Sequence, residues 1–180
     1  MCSSDLNLDA PANEAVAAVE KLVGGDKTKP LILYCNGPFC QQSRHLGELL
    51  ARAGFANARR YQLGIPVWRA LGGPTEIELD GITRIFGVGR TAVFFDARSP
   101  EEFASGGIPG AHNAPVEKLG AKAFDNAPLP NDDFNRRVIL FGRDGAQARA
   151  LADVLTKRPW HNTAYYPGAF ASLAEALKGK

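Results

Sequence analysis

The chain has 180 residues, of which 45% are hydrophobic and 22% charged, with a formal net charge of +2. That length suits one large or two small domains, and the composition is that of a globular protein. So small a charge argues against a nucleic-acid or anionic-membrane partner, no apolar run nears the roughly 20 residues that span a bilayer, and 3 cysteines do not make a disulfide framework.

The first residues, Met1-Cys2-Ser3-Ser4-Asp5-Leu6, are unusual. The codons GTG-TGC-TCT-TCC-GAT-CTN would encode them, and that string reads like a common sequencing adapter. The expectation is that they do not belong to the gene and that its true start lies further upstream. A basic n-region and an apolar core are both missing here, so no signal peptide is read. Cytoplasmic is the default compartment; a leader in a missing N-terminus would make it periplasmic.

Val16, Val19 and Val23 recur at helical spacing and predict a helix over residues 13–23, ended by Gly24-Gly25. Residues 31–34 (Leu-Ile-Leu-Tyr) read as a buried strand that stops at Cys35. A Gly37-Pro38 loop follows, then a helix with Leu46, Leu49, Leu50 and Ala53 on one face and Gly54 as its C-cap. Residues 58–62 read as a short strand, Gly64-Ile65-Pro66 as a turn and 67–71 as a short helix carrying Trp68. Gly72-Gly73-Pro74 breaks the chain, and 75–90 reads as a connecting segment with some alternation at Ile77 and Leu79.

A second buried strand, 92–95, ends at Asp96. Ser99-Pro100-Glu101-Glu102 is a helix start, with Ser at the N-cap, Pro at N1 and Glu at N3. Gly106-Gly107-Ile108-Pro109-Gly110 is a turn-rich loop, and 129–136 a polar one. A third buried strand, 138–141, ends at Gly142, and Leu151, Val154 and Leu155 mark the helix after it. Residues 163–166 read as a strand, Pro167-Gly168 as a turn, and Phe170, Leu173, Ala174 and Leu177 as the last helix.

The two halves repeat. Leu33-Tyr34-Cys35 aligns with Leu140-Phe141-Gly142 at an offset of 107 residues. Arg44, Leu46, Leu50, Asn57 and Tyr61 align with Arg149, Leu151, Leu155, Asn162 and Tyr166 at an offset of 105. The first loop is therefore expected to be longer by two residues, and a spacing this wide suggests duplicated domains rather than a solenoid. The second half also has a front part, residues 92–124, for which the first half has no counterpart. The expected division is 9–74 for the first unit, 75–90 for a linker and 91–178 for the second.

The segment Phe95-Asp96-Ala97-Arg98-Ser99-Pro100-Glu101-Glu102-Phe103 resembles the opening Asp-x-Arg-x-x-x-Glu-[Tyr/Phe] of the rhodanese (sulfurtransferase) family. Gly107-Ile108-Pro109-Gly110-Ala111-His112-Asn113 resembles its Gly-His-Ile-Pro-Gly-Ala loop, with Gly107 where His is usual. Leu33-Tyr34-Cys35 with its loop and helix resembles the active-site strand and persulfide-forming cysteine. Residues 57–68 resemble the closing strand and Gly-Gly-x-x-x-Trp segment, with Leu63-Gly64 in place of the Gly pair. The resemblance covers most of the chain from Pro30 and implies an α/β fold. That fold is a rhodanese-like parallel sheet flanked by helices, in two repeated units, the first truncated at its N-terminus.

The resemblance also implies a chemistry. Cys35 would take a sulfane sulfur from a donor such as thiosulfate, releasing sulfite, and pass it to a thiol, to cyanide or to a sulfur-accepting protein. The loop Asn36, Gly37, Pro38, Phe39, Cys40 and Gln41 would hold the substrate. A thiol attacks as its thiolate. Backbone N–H groups at a helix entrance, curled inward at Gly37, favour a negative sulfur there. No cofactor is expected. The second unit has Gly142 where the family has its cysteine, so it is expected to be non-catalytic.

The family's frequent loop-closing cation is absent, with Cys40 or Gln41 in its place. Cys40 is either a resolving thiol for Cys35 or a small apolar residue of the first helical turn. Arg44, Arg59 and Arg60 either draw in anionic donors or, the favoured reading, are surface charge; His45 and His112 read as structural, and Asp96 with Arg98 as a loop-bracing pair. A zinc site would need His45 and a further ligand beside Cys35 and Cys40, so no metal is expected. A Cys-dependent phosphatase would need Cys-x5-Arg, and Gln41 stands where that Arg would be. The remaining alternative is a non-enzymatic sulfur-relay or regulatory binding module.

Overall fold

The computed structural model describes residues 11–89, 91–115, 117 and 129–179. The expectations placed on residues 1–6, on Arg90 and on 116 and 118–124 of the stretch reaching 124 lie outside the described residues. The chain divides into two compact units, one ending at Trp68 and the other beginning at Arg69.

In the first unit α1 (Ala12–Leu22) precedes β1 (Leu31–Tyr34), α2 (Gln42–Arg52), β2 (Ala58–Tyr61) and α3 (Gly64–Ala70), which runs on across the unit boundary. β1 and β2 form a two-stranded parallel sheet with Leu31 opposite Ala58 and Leu33 opposite Arg60. The helical spacing of Ala15, Val19 and Val23 puts them on one stripe of α1, where they pack with Leu46 and Leu50 of α2 and with Phe55. Leu31 and Leu33 join that cluster from the sheet.

Successive strand residues face opposite ways, so Ile32 points away from those helices and is 71% exposed. The strand expected to be buried is thus covered on one face only. The expected turn at Gly64-Ile65-Pro66 is instead the first turn of α3, entered through Gly64 at φ 71°.

The second unit runs β3 (Thr75–Glu76), α4 (Leu79–Arg84), a π-helical turn (Ile85–Gly89), β4 (Val93–Asp96), α5 (Pro100–Ser105), β5 (His112–Asn113), β6 (Val138–Phe141), α6 (Gly145–Leu155), β7 (Thr163–Tyr165) and α7 (Phe170–Leu177). Among the described residues its five strands are parallel, in the order β3-β7-β6-β4-β5. Both faces are covered. Phe95, Val138, Leu140 and Tyr165 pack against α6 through Ala148, Leu151 and Leu155. The alternate residues Phe94, Ile139, Phe141 and Ala164 pack against Ile82, Leu173 and Leu177. Double coverage is why Val138-Ile139-Leu140-Phe141 is an unbroken apolar run.

The segment expected to be a connector therefore belongs to this unit's sheet and core. Thr75 and Glu76 pair with Ala164 and Tyr165, and Thr75 Oγ1 donates to the Thr163 carbonyl at 2.9 Å. The Tyr165 hydroxyl donates to Glu76 Oε1 at 2.6 Å, and burial, with that carboxylate, pushes the phenol up to about 12. Ile82 and Ile85, three residues apart, both lie in the core, a helical signal that the shorter alternation at Ile77 and Leu79 obscured. Among the described residues no helix is long and apolar enough to cross a membrane.

Candidate functional site

Cys35 sits at the C-terminal end of β1, and seven residues, 35 to 41, lead from that strand to α2. In parallel α/β sheets this end of a strand is where ligands gather. The loop is shaped by its backbone. Gly37 is buried at φ 130°, a conformation open to glycine, and the Cys40 N–H donates to the Gly37 carbonyl at 3.2 Å.

The loop is held from α3 as well. The Ile65 N–H donates to the Cys35 carbonyl at 3.0 Å. A Cβ on Gly64 would strike the Cys35 carbonyl oxygen and the Gly37 nitrogen, so only a glycine lets α3 begin this close to the loop.

Two cysteines meet across this loop. Cys35 and Cys40 form a disulfide, with their Cα atoms 6.1 Å apart. Gln42 Oε1, on the first residue of α2, stands 3.8 Å from both sulfurs. Between the cysteines Asn36, Pro38 and Phe39 are exposed, Phe39 at 92%. Gln41 is the N-cap of α2 and makes no side-chain capping bond.

Arg60 was expected to be surface charge, and the structure gives it a different place. From β2 its Nε donates to Ser43 Oγ at 3.0 Å, and its Nη2 to the carbonyls of Cys40 at 3.1 Å and Pro38 at 3.3 Å. A guanidinium thus reaches the loop backbone from the neighbouring strand. Arg44 is exposed and pairs with Glu48 at 3.2 Å. The structure brings Cys35, Gly37, Pro38 and Cys40 together with Gln42, Ser43, Arg60 and Gly64. Gln42 and Ser43 carried no chemical signature of their own in the sequence, and nothing local placed Arg60 or Gly64 at this loop. The register that puts Arg60 beside Leu33 was the one clue to it.

In the second unit the corresponding strand end is Gly142. The Arg143 N–H donates to Gln147 Oε1 at 2.8 Å, and Asp144 caps α6 by accepting from the Gln147 N–H at 2.9 Å. A Cβ on Gly142 would lie 2.9 Å from Gln147 Oε1 and 3.1 Å from the Ala148 nitrogen. The Arg143 guanidinium grips Glu102 through two bonds of 2.9 Å. Those bonds, helped by the Ser99 N–H, hold the Glu102 carboxyl down at about 2.

The Asp96–Arg98 pair expected from the sequence is present. Arg98 Nη2 lies 2.6 Å from Asp96 Oδ2, both side chains are buried, and the guanidinium stacks 3.2 Å above the Phe170 ring. His45 and His112 are both exposed. Among the described residues no group of three or more His, Cys, Asp or Glu side chains is placed to hold a metal ion.

The family model for the rhodanese-like domain matches residues 85–176. The Schizosaccharomyces pombe protein named "Putative thiosulfate sulfurtransferase, mitochondrial" is 28% identical over 98 residues, which cover 51% of this chain and 69% of that protein. Among solved structures, a rhodanese-like domain from Anabaena sp. is similar at 19% identity and a TM-score of 0.47, covering 58% of this chain and 75% of its own. An uncharacterized protein from Saccharomyces cerevisiae is similar at 21% identity and a TM-score of 0.46, covering 57% and 92% respectively.

Proposed function

This chain belongs to the rhodanese-like domain family, whose model spans residues 85–176, and from that premise we propose that it is a sulfurtransferase working through a Cys35 persulfide. The family match falls in the second unit, where the strand end is Gly142 and no thiol is available. The reading assigns the chemistry to the first unit and a non-catalytic role to the second.

One observation carries this assignment. Leu31 pairs with Ala58 across β1 and β2, and Val138 pairs with Thr163 across β6 and β7. Those are the partners the 107- and 105-residue offsets call for, and they set Cys35 where Gly142 stands. The register supports a duplication of the strand–loop–helix–strand unit, with the thiol kept in one copy.

The reaction begins from reduced Cys35. Its thiolate attacks the outer sulfur of thiosulfate, the sulfur–sulfur bond of the donor breaks, and the electron pair leaves with sulfite. The charge on the thiolate is favoured by the entrance to α2 and by the Arg60 guanidinium on the loop carbonyls. The persulfide then passes its outer sulfur to a thiol or cyanide, a ping-pong course that needs no cofactor.

The test is a thiosulfate:cyanide assay on the reduced chain, with sulfite release as the measure of sulfur uptake, for the wild type and Cys35→Ser. Turnover, and one equivalent of sulfite released on mixing with thiosulfate alone, are expected in the wild type and lost in Cys35→Ser. The exposed loop and the Gly142 cradle are also compatible with a binding module without turnover. Absence of both turnover and sulfur uptake in the wild type would favour that reading.

A further inference from the structure

We propose that Cys40 is the resolving thiol of this site, so that the acceptor half-reaction releases hydrosulfide and is completed by a dithiol. The proposal rests on the Cys35 persulfide reading above and adds what becomes of the persulfide.

The geometry is built for it. The two Cα atoms are 6.1 Å apart, inside the range of about 4.4–6.8 Å that a disulfide spans without backbone movement. The loop between them is fixed rather than left to chance: the Cys40 N–H is held by the Gly37 carbonyl, and the Cys40 and Pro38 carbonyls by Arg60. Gln42 Oε1 lies beside both sulfurs and can accept from either in its thiol form. Cys40 stands just ahead of α2, and Arg60 bonds its own carbonyl, so both the helix entrance and a cation favour the thiolate.

The chemistry balances. The Cys40 thiolate attacks Sγ of the Cys35 persulfide. A bond forms between the two Sγ atoms, the bond from Cys35 Sγ to the outer sulfur breaks, and that sulfur leaves with the electron pair as hydrosulfide, protonated from water. The Cys35–Cys40 disulfide that results is the state of the structure. A dithiol then reopens it. One of its thiolates attacks a protein sulfur, its second closes the dithiol's own disulfide, and Cys35 and Cys40 return reduced. Over the cycle thiosulfate and a dithiol become sulfite, hydrosulfide and an oxidised dithiol. Intramolecular attack has the advantage of high effective molarity over any dilute external acceptor. Cys35 and Cys40 are themselves partly exposed, which leaves the disulfide within reach of the dithiol.

The experiment uses the full chain, reduced and freed of reductant, then mixed with excess thiosulfate. Hydrosulfide is quantified and the protein weighed intact, for the wild type, Cys40→Ser, Cys40→Ala and Cys35→Ser. The wild type is expected to release one equivalent of hydrosulfide and end two hydrogens lighter. Both Cys40 variants are expected to gain the mass of one sulfur and release no hydrosulfide until a dithiol is added. Cys35→Ser is expected to do neither.

A wild type that keeps its added sulfur, with Cys40 still open to alkylation, overturns the resolving role and leaves the persulfide reading intact. Loss of sulfur uptake in both Cys40 variants, with unfolding midpoints like the wild type, also overturns it, because Cys40 would then be needed before the step assigned to it. No added sulfur in the Cys40 variants, together with neither hydrosulfide nor added sulfur from the wild type, brings down the persulfide reading itself and this proposal with it.

Discussion

Replacing Arg60 by Met separates a loop brace from a surface charge. Met keeps much of the apolar stem and loses three donated bonds, to Ser43 Oγ at 3.0 Å, Cys40 O at 3.1 Å and Pro38 O at 3.3 Å. A bond from a charged donor contributes roughly 1.5–3 kcal/mol net, and Arg60 is only half-buried, so the lower end applies. The longest of the three lies past the usual range of about 2.7–3.2 Å and counts for little. Two bonds at the lower end give a loss of about 3 kcal/mol in the first unit. If half of that bears on where the Cys35 loop rests, sulfur uptake slows about tenfold, since each 1.36 kcal/mol is roughly a factor of ten.

Trp68 belongs to the first unit, where it meets Tyr61 edge to face, and Trp160 to the second. Urea unfolding followed by fluorescence in a Trp160→Phe background therefore reads the first unit. The rate of persulfide formation on Cys35 is followed beside it. An unchanged midpoint with an unchanged rate would refute the brace and return Arg60 to the surface-charge reading its sequence context suggests.

The Glu102 carboxyl, lowered to about 2, gives a pH signature. A depressed carboxylate stabilises the fold above its unfolded value of about 4.3 and loses that contribution as pH falls through its folded value. Glu102→Gln should therefore melt below the wild type at neutral pH, with the gap closing between about pH 4.3 and pH 2; a gap that persists below pH 2 contradicts the assignment. Gly142→Cys, made in a Cys35→Ser background, is expected to take up no sulfur. Its Cβ would press on Gln147 Oε1, which already holds the Arg143 N–H. A gain of one sulfur by intact mass would show that a thiol was all the second unit lacked.

How much of this the sequence disclosed depended on whether the signal was local. The Ser99 cap was legible because a capping box is written in four consecutive residues, and Ser99 and Glu102 exchange both bonds as expected. Val138-Ile139-Leu140-Phe141 was legible because a strand covered on both faces carries no polar positions. Leu31-Ile32-Leu33-Tyr34 has the same look, yet Ile32 is open to solvent, because a pattern of residue types does not say how many layers will cover it.

The place of Arg60 and Gly64 at the Cys35 loop was missed for another reason. Their partners lie across the sheet and across a loop, and only the β1–β2 register and the start of α3 bring them to Cys35. The linker reading of residues 75–90 failed at Thr75 and Glu76, two residues too few to show a strand period but enough to pair with β7.

The loop length was also half legible, and the other half bears on the chemistry. The sequence offsets make the first loop two residues longer. In the structure seven residues part β1 from α2, and three part β6 from α6. On the proposed duplication, the 105-residue offset aligns Cys40 and Gln41 with Gly145 and Ala146, the first residues of α6. The second helix starts there because the Asp144 side chain takes up the Gln147 N–H. The first has no such cap at Gln41, and its first turn is left unwound. In a helix of full length Cys40 would be a residue of the opening turn. Released from it, with its N–H on Gly37 and its carbonyl on Arg60, Cys40 sits within disulfide reach of Cys35. The missing cap, more than the two inserted residues, is what leaves Cys40 outside the helix and within reach of Cys35.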